Sequence, residues 1–591
     1  TGSPSPPAPL PERERGELTR GDWLPSVSQS DYTAAVAELR ECIARGETYQ
    51  VNYTLRLRRP WTGDSWEYFL ELVEAQHAPY AAYVDTGRLA VCSASPELFF
   101  RLDGLAIHSR PMKGTAPRGR WYADDIARAS QLARSEKDRA ENAMVVDMIR
   151  NDLGKIARVG SVRVCDLFHV ERYPTLWQMT STVAAETTAS VSEILAALFP
   201  CASVTGPPKP NTMKIIAGME TAPRGIYTGA IGMIGPDRQA QFNVAIRTVV
   251  IDRALGEAEY GVGGGVVWDS TPEGEYQECL LKARILTERR PDFSLLETML
   301  WEPPEGAPGN EPVGGRKGTV PFSRPCRPTL RVGARWCPRK SGQSPGYGGY
   351  FLLDEHLRRL GESAEYFGFP WDEGRARQEL AALAASLPQA PQRVRLLLSR
   401  EGEVSCEAAA MDLSLKRDSP IFADARIGTV PAEPVRLELA ARPVRSDDPL
   451  LYHKTTHRAV YEAAIAGAGK RHPEGTRSPF VRSRAPTERW SRAVPANGDC
   501  PLFPCDDVLL YNERGEITET CIANVVARVG EDLWTPPSEC GLLAGVFRGR
   551  LLAEGRIRER VLPLDMLGRI DELFVINSVR KWRRAVLARC P

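Results

Sequence analysis

The sequence is short of histidine. Only seven occur in 591 residues. The 13 cysteines contain no CxxC pair, and their odd number argues against a full disulfide framework. A reduced, cytosolic enzyme is the expectation. A dominant charge sign is also lacking. Lys+Arg 76 against Asp+Glu 75 leaves +1, so no global field selects nucleic acid or an anionic membrane. No run of 18 apolar residues is present, so no membrane-spanning helix is predicted. The opening TGSPSPPAPLPERERGE has no apolar stretch and does not read as a signal peptide. It begins with Thr, not Met, so the sequence is expected to be a fragment.

What is present is ordinary globular material. Hydrophobic residues make up 42% and charged residues 26%, which excludes wholesale disorder. At about 150 residues per domain the length suggests roughly four units, and two large α/β domains fit equally well. Residues 1–30 read as a Pro-rich linker, with five prolines between Pro4 and Pro11. Val36, Leu39 and Ile43 then recur at i, i+3, i+7 before Gly46, predicting a helix over 31–45. Alternation from Tyr49 to Leu57 predicts a strand. Two later stretches show no periodicity. Residues 306–345 hold eight Lys/Arg and one acid, and 470–505 hold seven and three. They read either as basic nucleic-acid arms or, as the absence of interleaved aromatics favours, as inserted surface loops.

Acids recur at helical spacing. In SEKDRAENAMVVDMIRNDLG (135–154), Asp138 and Glu141 share a helix face. In DSTPEGEYQECLLKARIL (269–286), Glu275, Glu278 and Lys282 share another, on a helix that Pro272 can open. Such faces suit Mg²⁺, which takes a few carboxylates, waters and a substrate anion. Spacing alone also fits solvated, salt-bridged surfaces, the commoner case. Beside the second helix, GVGGGVV (261–267) lets backbone N–H groups approach an anion, but it lacks the spacing of a dinucleotide fingerprint. Arg247 interrupts the apolar FNVAIRTVV. Buried there it needs a carboxylate, from a substrate or from an internal salt bridge. Lys113, in the turn-prone loop RPMKGTAPRG (110–119), is a candidate nucleophile if an apolar pocket desolvates it, and otherwise a surface lysine.

The second half offers a different set. LLYHKTTHRAVYEAA (450–464) places Lys454 where an apolar strand is expected to meet a helix, as in Schiff-base lysines. VLLYNERGEITETCIANVVARV (508–529) reads as a hairpin turning at 512–515, with Glu519 in its second strand, where a carboxylate can pair with a protonated pyridine nitrogen. GLLAGVFR (541–548) is a turn opening a helix, a natural phosphate seat. Singly, each is more often ordinary structure.

Taken together, YQVN (49–52), SASPELFF (93–100), PMKGTAPRG (111–119), KDRAENAMVVDMIRNDLG (137–154), SVTGPPK (203–209), RGIYTGAIG (224–232), NVAIRT (243–248) and GVGGGVVWDSTPEGEYQECLLKA (261–283) resemble the chorismate-utilising enzymes, in the family's order. The resemblance implies a two-sheet α/β sandwich. Lys113 resembles the aminodeoxychorismate-forming branch, where anthranilate-forming members carry Ala. Gln50 resembles the amine-adding members, where water-adding members carry a Lys base. By resemblance, Lys113 attacks C2 of chorismate, and Glu97 is the general acid for the leaving 4-hydroxyl. Ammonia then adds at C4. Glu141 and Glu278, with Glu275 nearby, hold Mg²⁺ on the ring carboxylate, while Arg247, Tyr227, Gly263 and Gly264 bind the other. Gln50, Thr205 and Lys282 complete the substrate site, with Asp138 in support. Two departures stand out: the family's N-terminal subdomain has no counterpart before Asp31, and Gln178 stands where several relatives have His.

FSLLETM (293–299), FLLDEHLRRLGESAEYFGF (351–369), YHKTTHR (452–458), NERGEITETCIAN (512–524), TPPSECGLLAGVFR (535–548) and ELFVINSVRKW (572–582) resemble fold-type IV pyridoxal phosphate enzymes. This implies Lys454 as Schiff-base lysine and proton shuttle, and Glu519 on the pyridinium. Arg359 and the backbone N–H groups of Val546 and Phe547 would hold the phosphate, with Asn577 and Ser578 nearby. Phe547 replaces a common Thr or Ser.

The expected architecture is α+β: a chorismate-utilising two-sheet sandwich over 31–290, then a fold-type IV domain of two α/β subdomains over 291–591, interrupted at 306–345 and 470–505. The expected function is 4-aminobenzoate synthesis for folate, by amination of chorismate and elimination of pyruvate. Cofactors are Mg²⁺ and pyridoxal 5'-phosphate. No glutaminase signature is visible, so a separate glutamine amidotransferase subunit is the expected ammonia source. No nucleic-acid or membrane partner is expected, and a homodimer through the second domain is compatible with the resemblance. The rivals are an anthranilate synthase-type enzyme fused to a branched-chain or D-amino-acid aminotransferase-like domain, and a non-catalytic scaffold for the amidotransferase.

Overall fold

The computed structural model describes residues 23–287, 291–303, 349–411, 433–467 and 505–587. The basic stretches at 306–345 and 470–505 lie outside them, apart from Cys505. Ordered structure starts earlier than the expected Asp31. Trp23 is buried, Leu24–Pro25 pairs with the strand Val51–Pro60, and Ser28 caps the helix Gln29–Ala44 by accepting from Asp31 N. The described chain falls into two units. One holds residues up to Gly119 and from Ala123 to Pro291; the other holds Arg120–Tyr122 and residues from Asp292 on.

The first unit contains two sheets, each backed by its own helices. The six-stranded sheet runs in the order Leu24–Pro25, Val51–Pro60, Glu257–Val266, Thr248–Asp252, Leu89–Ser93, Ala82–Asp85. Against it pack Tyr32, Val36 and Leu39 of Gln29–Ala44, Phe69 and Leu72 of the helix Ser65–Gln76, and Tyr276 and Cys279 of the helix Pro272–Ala283. These are the apolar stripes that the 3.6-residue period predicts. The second sheet runs Ala230–Gly235, Gln239–Val244, Leu98–Asp103, Ala106–Arg110, Leu176–Glu186, Met112–Pro117, with Arg163–Arg172 also on Leu176–Glu186. Val145, Val146, Ile149 and Leu153 of the helix Glu136–Gly154 cover it. The chain crosses from this sheet to the first between Val244 and Thr248, where Arg247 has φ 51°.

The second unit has a four-stranded sheet, Gly349–Tyr350, Leu295–Glu302, Gln392–Leu398, Val404–Ala410. The helices Leu353–Phe367 and Glu373–Ser386 bury Leu357, Leu360, Ala376 and Leu380 with it. Its eight-stranded sheet runs Ile517–Thr520, Asp507–Tyr511, Val435–Leu439, Lys581–Leu587, Glu572–Asn577, Asn524–Val529, Asp532–Thr535, Arg558–Glu559. Ile517–Thr520 also pairs with Asn524–Val529, which curls the sheet back on itself like a barrel. The hairpin expected over 508–529 is therefore only half right. Its second strand stops at Thr520, turns through Cys521–Ala523 and restarts at Asn524, so that Glu519 faces Asn524. Among the described residues no helix is long and apolar enough to cross a membrane.

Candidate active sites

A cavity of about 320 Å³ in the first unit draws on both sheets and two helices. Gly261, Gly263 and Gly265 form one wall, Lys113 and Gln178 another, and Glu141, Glu275, Glu278 and Lys282 the helical side. The glycines leave the space these side chains occupy: a methyl group on Gly265 would lie 2.0 Å from Lys113 Nζ and 2.9 Å from Gln50 Nε2, and one on Gly264 would lie 2.4 Å from Glu275 Oε2. The glycines thus make room for side chains in addition to any anion.

Glu97 sits in the turn between Leu89–Ser93 and Leu98–Asp103 and is 2% exposed. Met112 N donates to its Oε1 at 3.4 Å. Burial pushes the carboxyl up to about 7, against smaller lowering effects from Ser203, Met112 N and two lysines. Such a group carries a proton to deliver near neutrality.

Lys113 differs from expectation in two ways. It lies in a strand, Met112–Pro117, not a loop. Its surroundings are acidic, not apolar: Nζ stands 3.2 Å from Glu141 Oε2. The PMKGTAP segment reads as a loop because Pro and Gly are poor strand formers, yet a long neighbouring strand holds it.

The three metal candidates all line the cavity, but they do not form a ready-made cluster. Among the described residues no three His, Cys, Asp or Glu side chains gather closely enough to hold a metal. The reason is local pairing, Glu141 with Lys113 and Glu278 with Lys282 at 2.6 Å. Burial would raise the Glu278 carboxyl, but Lys282 and Lys113 outweigh it and hold it low. Glu275 is raised, by burial and then by Glu278. Its Oε1 accepts from Ser270 Oγ at 2.6 Å, while its buried Oε2 has no partner among the described residues.

Arg247 is buried on the cavity, but its side-chain partner is the amide Oε1 of Gln76, at 2.8 Å, not a carboxylate. Tyr227 also faces the cavity, its ring held so close to the strand that a methyl group on Gly261 would lie 2.2 Å from it. Lys282 Nζ donates to Gly263 O at 2.8 Å. Three candidates, Gly264, Thr205 and Gln50, do not line the cavity. Thr205 spends its hydroxyl on Cys201 O at 3.0 Å, inside its own turn. Gln50 is fully buried, and neither Oε1 nor Nε2 has a partner among the described residues.

A second cavity, of about 670 Å³, lies in the other unit. Lys454 lines it, following the short turn Pro449–Leu451 and preceding the helix Ala459–Gly467, with no strand before it. Its carbonyl is fixed by Leu296 N at 2.9 Å. Burial brings the Lys454 amine down to about 8. Glu519 accepts from Tyr461 OH at 2.9 Å and from Asn524 Nδ2 at 3.3 Å, and burial pushes it up to about 8. A buried carboxyl so costly to ionise alone fits a cationic partner. Val546 and Phe547 open the helix Val546–Ala553 at the cavity, where free backbone N–H groups suit a phosphate. A methyl group on Gly545 would lie 2.0 Å from Asn524 Oδ1, so only glycine fits that turn. Arg359 donates to Ala544 O at 3.1 Å beside the same turn, and its Nε and Nη2 grip Glu297 at 2.8 and 2.6 Å. Asn577 and Ser578 line the cavity, with Asn577 Oδ1 accepting from Arg580 N at 2.8 Å.

Several participants are given no role by the sequence, although all but Tyr260 lie within the motifs quoted above. Ser203, Tyr260, Tyr461 and Asn524 touch one site or the other, and Glu297 with His356 braces Arg359. The one signal they offer is a polar residue inside an apolar run, as with Glu297 in FSLLETM.

Residues 5–288 match the family described as chorismate binding enzyme, and residues 346–474 with 504–587 match the family described as amino-transferase class IV. Over 277 residues the chain is 44% identical to an aminodeoxychorismate synthase of Streptomyces pristinaespiralis, covering 45% of this chain and 38% of that one. It is 38% identical over 270 residues to aminodeoxychorismate synthase component 1 of Escherichia coli K12, covering 45% and 59%. It is 41% identical over 272 residues to an anthranilate synthase component 1 of Haloarcula marismortui, covering 46% and 55%. The chain thus spans less than two thirds of each of these relatives. It joins a domain of the chorismate binding enzyme family to a domain of the class IV amino-transferase family.

Proposed function

We propose that the chain makes 4-aminobenzoate from chorismate and ammonia in two steps, one in each cavity. The observation that carries the reading is the convergence on one cavity of Lys113 and a buried carboxyl, Glu97, which burial pushes up to about 7. In the first step, Lys113, once deprotonated, attacks C2 of the ring, and Glu97 protonates the departing 4-hydroxyl as water. Ammonia then adds at C4 and the Lys113 nitrogen leaves, so that chorismate and ammonia give 4-amino-4-deoxychorismate and water. Gln50, buried with an unpartnered amide near Lys113, fits a site that admits an amine. Arg247 and Tyr227 bind one substrate carboxylate.

Glu141 and Glu278 are the residues that would hold Mg²⁺, and the partnerless Glu275 Oε2 behind them fits the need for one more acceptor. The ion would supply positive charge to the ring carboxylate. In the second cavity, pyridoxal phosphate would supply an electron sink. Glu519 would keep a proton on the pyridine nitrogen, and Arg359 with the N–H groups of Val546 and Phe547 would seat the phosphate. Lys454 takes the proton from the amine-bearing carbon, and pyruvate leaves as the ring becomes aromatic. A separate glutamine amidotransferase would supply ammonia, and the second domain would pair with a second copy.

Similarity to an anthranilate synthase component 1 supports one rival. Lys113→Ala separates them. It should abolish ammonium-dependent consumption of chorismate, read by loss of chorismate absorbance, in a protein of unchanged thermal stability. Undiminished consumption would contradict the proposal.

A further inference from the structure

The strand that carries Lys113 does not pair evenly. Met112 lies opposite Thr180, but Thr115 lies opposite Gln178, so one extra residue is accommodated between them. This is a β-bulge at Lys113–Gly114, and Gly114 takes φ 99° there. A bulge frees backbone groups from the ladder, and buried carbonyls left open are costly. Here two side-chain amides take them up. Asn142 Nδ2 donates to Lys113 O at 3.1 Å, and Gln178 Nε2 donates to Gly114 O at 2.7 Å. Both amides are buried and fixed at their other ends. Asn142 Oδ1 accepts from Ser181 Oγ at 2.6 Å, and Gln178 Oε1 accepts from Thr115 Oγ1 at 3.2 Å.

We propose that Asn142 and Gln178 are positioning residues that lock the bulge and thereby aim Lys113 Nζ into the cavity. Asn142 directly follows Glu141, so one helical turn sets both ends of Lys113: the amide holds its carbonyl, and the carboxylate meets its Nζ at 3.2 Å. Gln178 belongs to the facing strand and pins the next carbonyl. Its role is that of a neutral donor to the backbone, which needs no titrating group. The rigidity matters because a nucleophile misplaced by about 1 Å loses on the order of a hundredfold in rate.

The inference rests on Lys113 being the nucleophile of the proposed function, and the test keeps the two apart. Asn142→Leu and Gln178→Met remove the donors at near-constant volume. Each is assayed for ammonium-dependent chorismate turnover and for competitive acetylation of its lysines, read peptide by peptide by mass spectrometry. The expected result is a fall in kcat of about tenfold or more with KM little changed, and several-fold faster acetylation of Lys113 relative to Lys209. Acetylation needs no turnover, so it reports on Lys113 even in a chain that proves inactive on chorismate, a result that would sink only the function. Acetylation of Lys113 at the wild-type rate in a folded variant overturns the inference, as does wild-type kcat in both. Should one variant fail to fold, the other decides.

Discussion

At the scale of single residues, burial decides what the candidate groups can do. Glu97 is an ordinary carboxylic acid in sequence, and its place in SASPELFF says nothing about charge state. Burial carries its pKa from the usual range to about 7. The working form is the protonated one, so the Glu97 contribution is full below about pH 7 and falls roughly tenfold per unit above it, whereas Lys113 and ammonia work deprotonated and gain as pH rises. Chorismate turnover by the wild type and by Glu97→Gln, compared across pH at fixed free ammonia, measures this: the ratio of the two rates should fall above about pH 7, and a ratio that does not change with pH would contradict the role. Residue type and motif make Glu97, Lys113, Lys454 and Glu519 legible in the sequence alone. Their partners are not. That Arg247 meets the Gln76 amide, or that Glu297 and His356 brace Arg359, depends on contacts between residues far apart in sequence.

At the scale of elements, periodicity marks the helices well and the irregular strands poorly. The acids of Glu136–Gly154 and Pro272–Ala283 share faces because i, i+3 and i+7 lie on one side of any helix. Lys113 and Glu519 sit beside interruptions, a bulge at Gly114 and a strand break at Cys521–Ala523, and interruptions erase the alternation that marks a strand. The strand Glu257–Val266 shows what such local rules miss. Its three consecutive glycines look like an anion cradle in sequence. In the fold Gly265 clears space for Lys113 and Gln50, Gly264 for Glu275, and Gly263 for the carbonyl of Tyr53 on the neighbouring strand. Gly265→Ala should therefore keep the sheet intact, since the nearest atom is the flexible end of a lysine, yet cut chorismate turnover by on the order of a hundredfold. Circular dichroism and a steady-state assay check both halves of that statement. Full activity would mean that Nζ does not work from its present position.

At the scale of the whole molecule, two domain families share one chain, each with its own cavity. The division into halves is legible because two independent motif series follow one another in sequence. If each half performs one step, the steps separate genetically. Lys113→Ala should make no product from chorismate, and Lys454→Ala should stop at 4-amino-4-deoxychorismate. An equimolar mixture of the two should restore 4-aminobenzoate through the released intermediate. Failure of the mixture, with each variant still performing its own intact step, would contradict a freely released intermediate.

The most direct test of the central claim is product analysis by mass spectrometry. The purified chain is incubated with chorismate, ammonium, Mg²⁺ and pyridoxal phosphate. The account predicts 4-aminobenzoate and pyruvate in equal amounts. Anthranilate, or 4-amino-4-deoxychorismate accumulating without pyruvate, would contradict it.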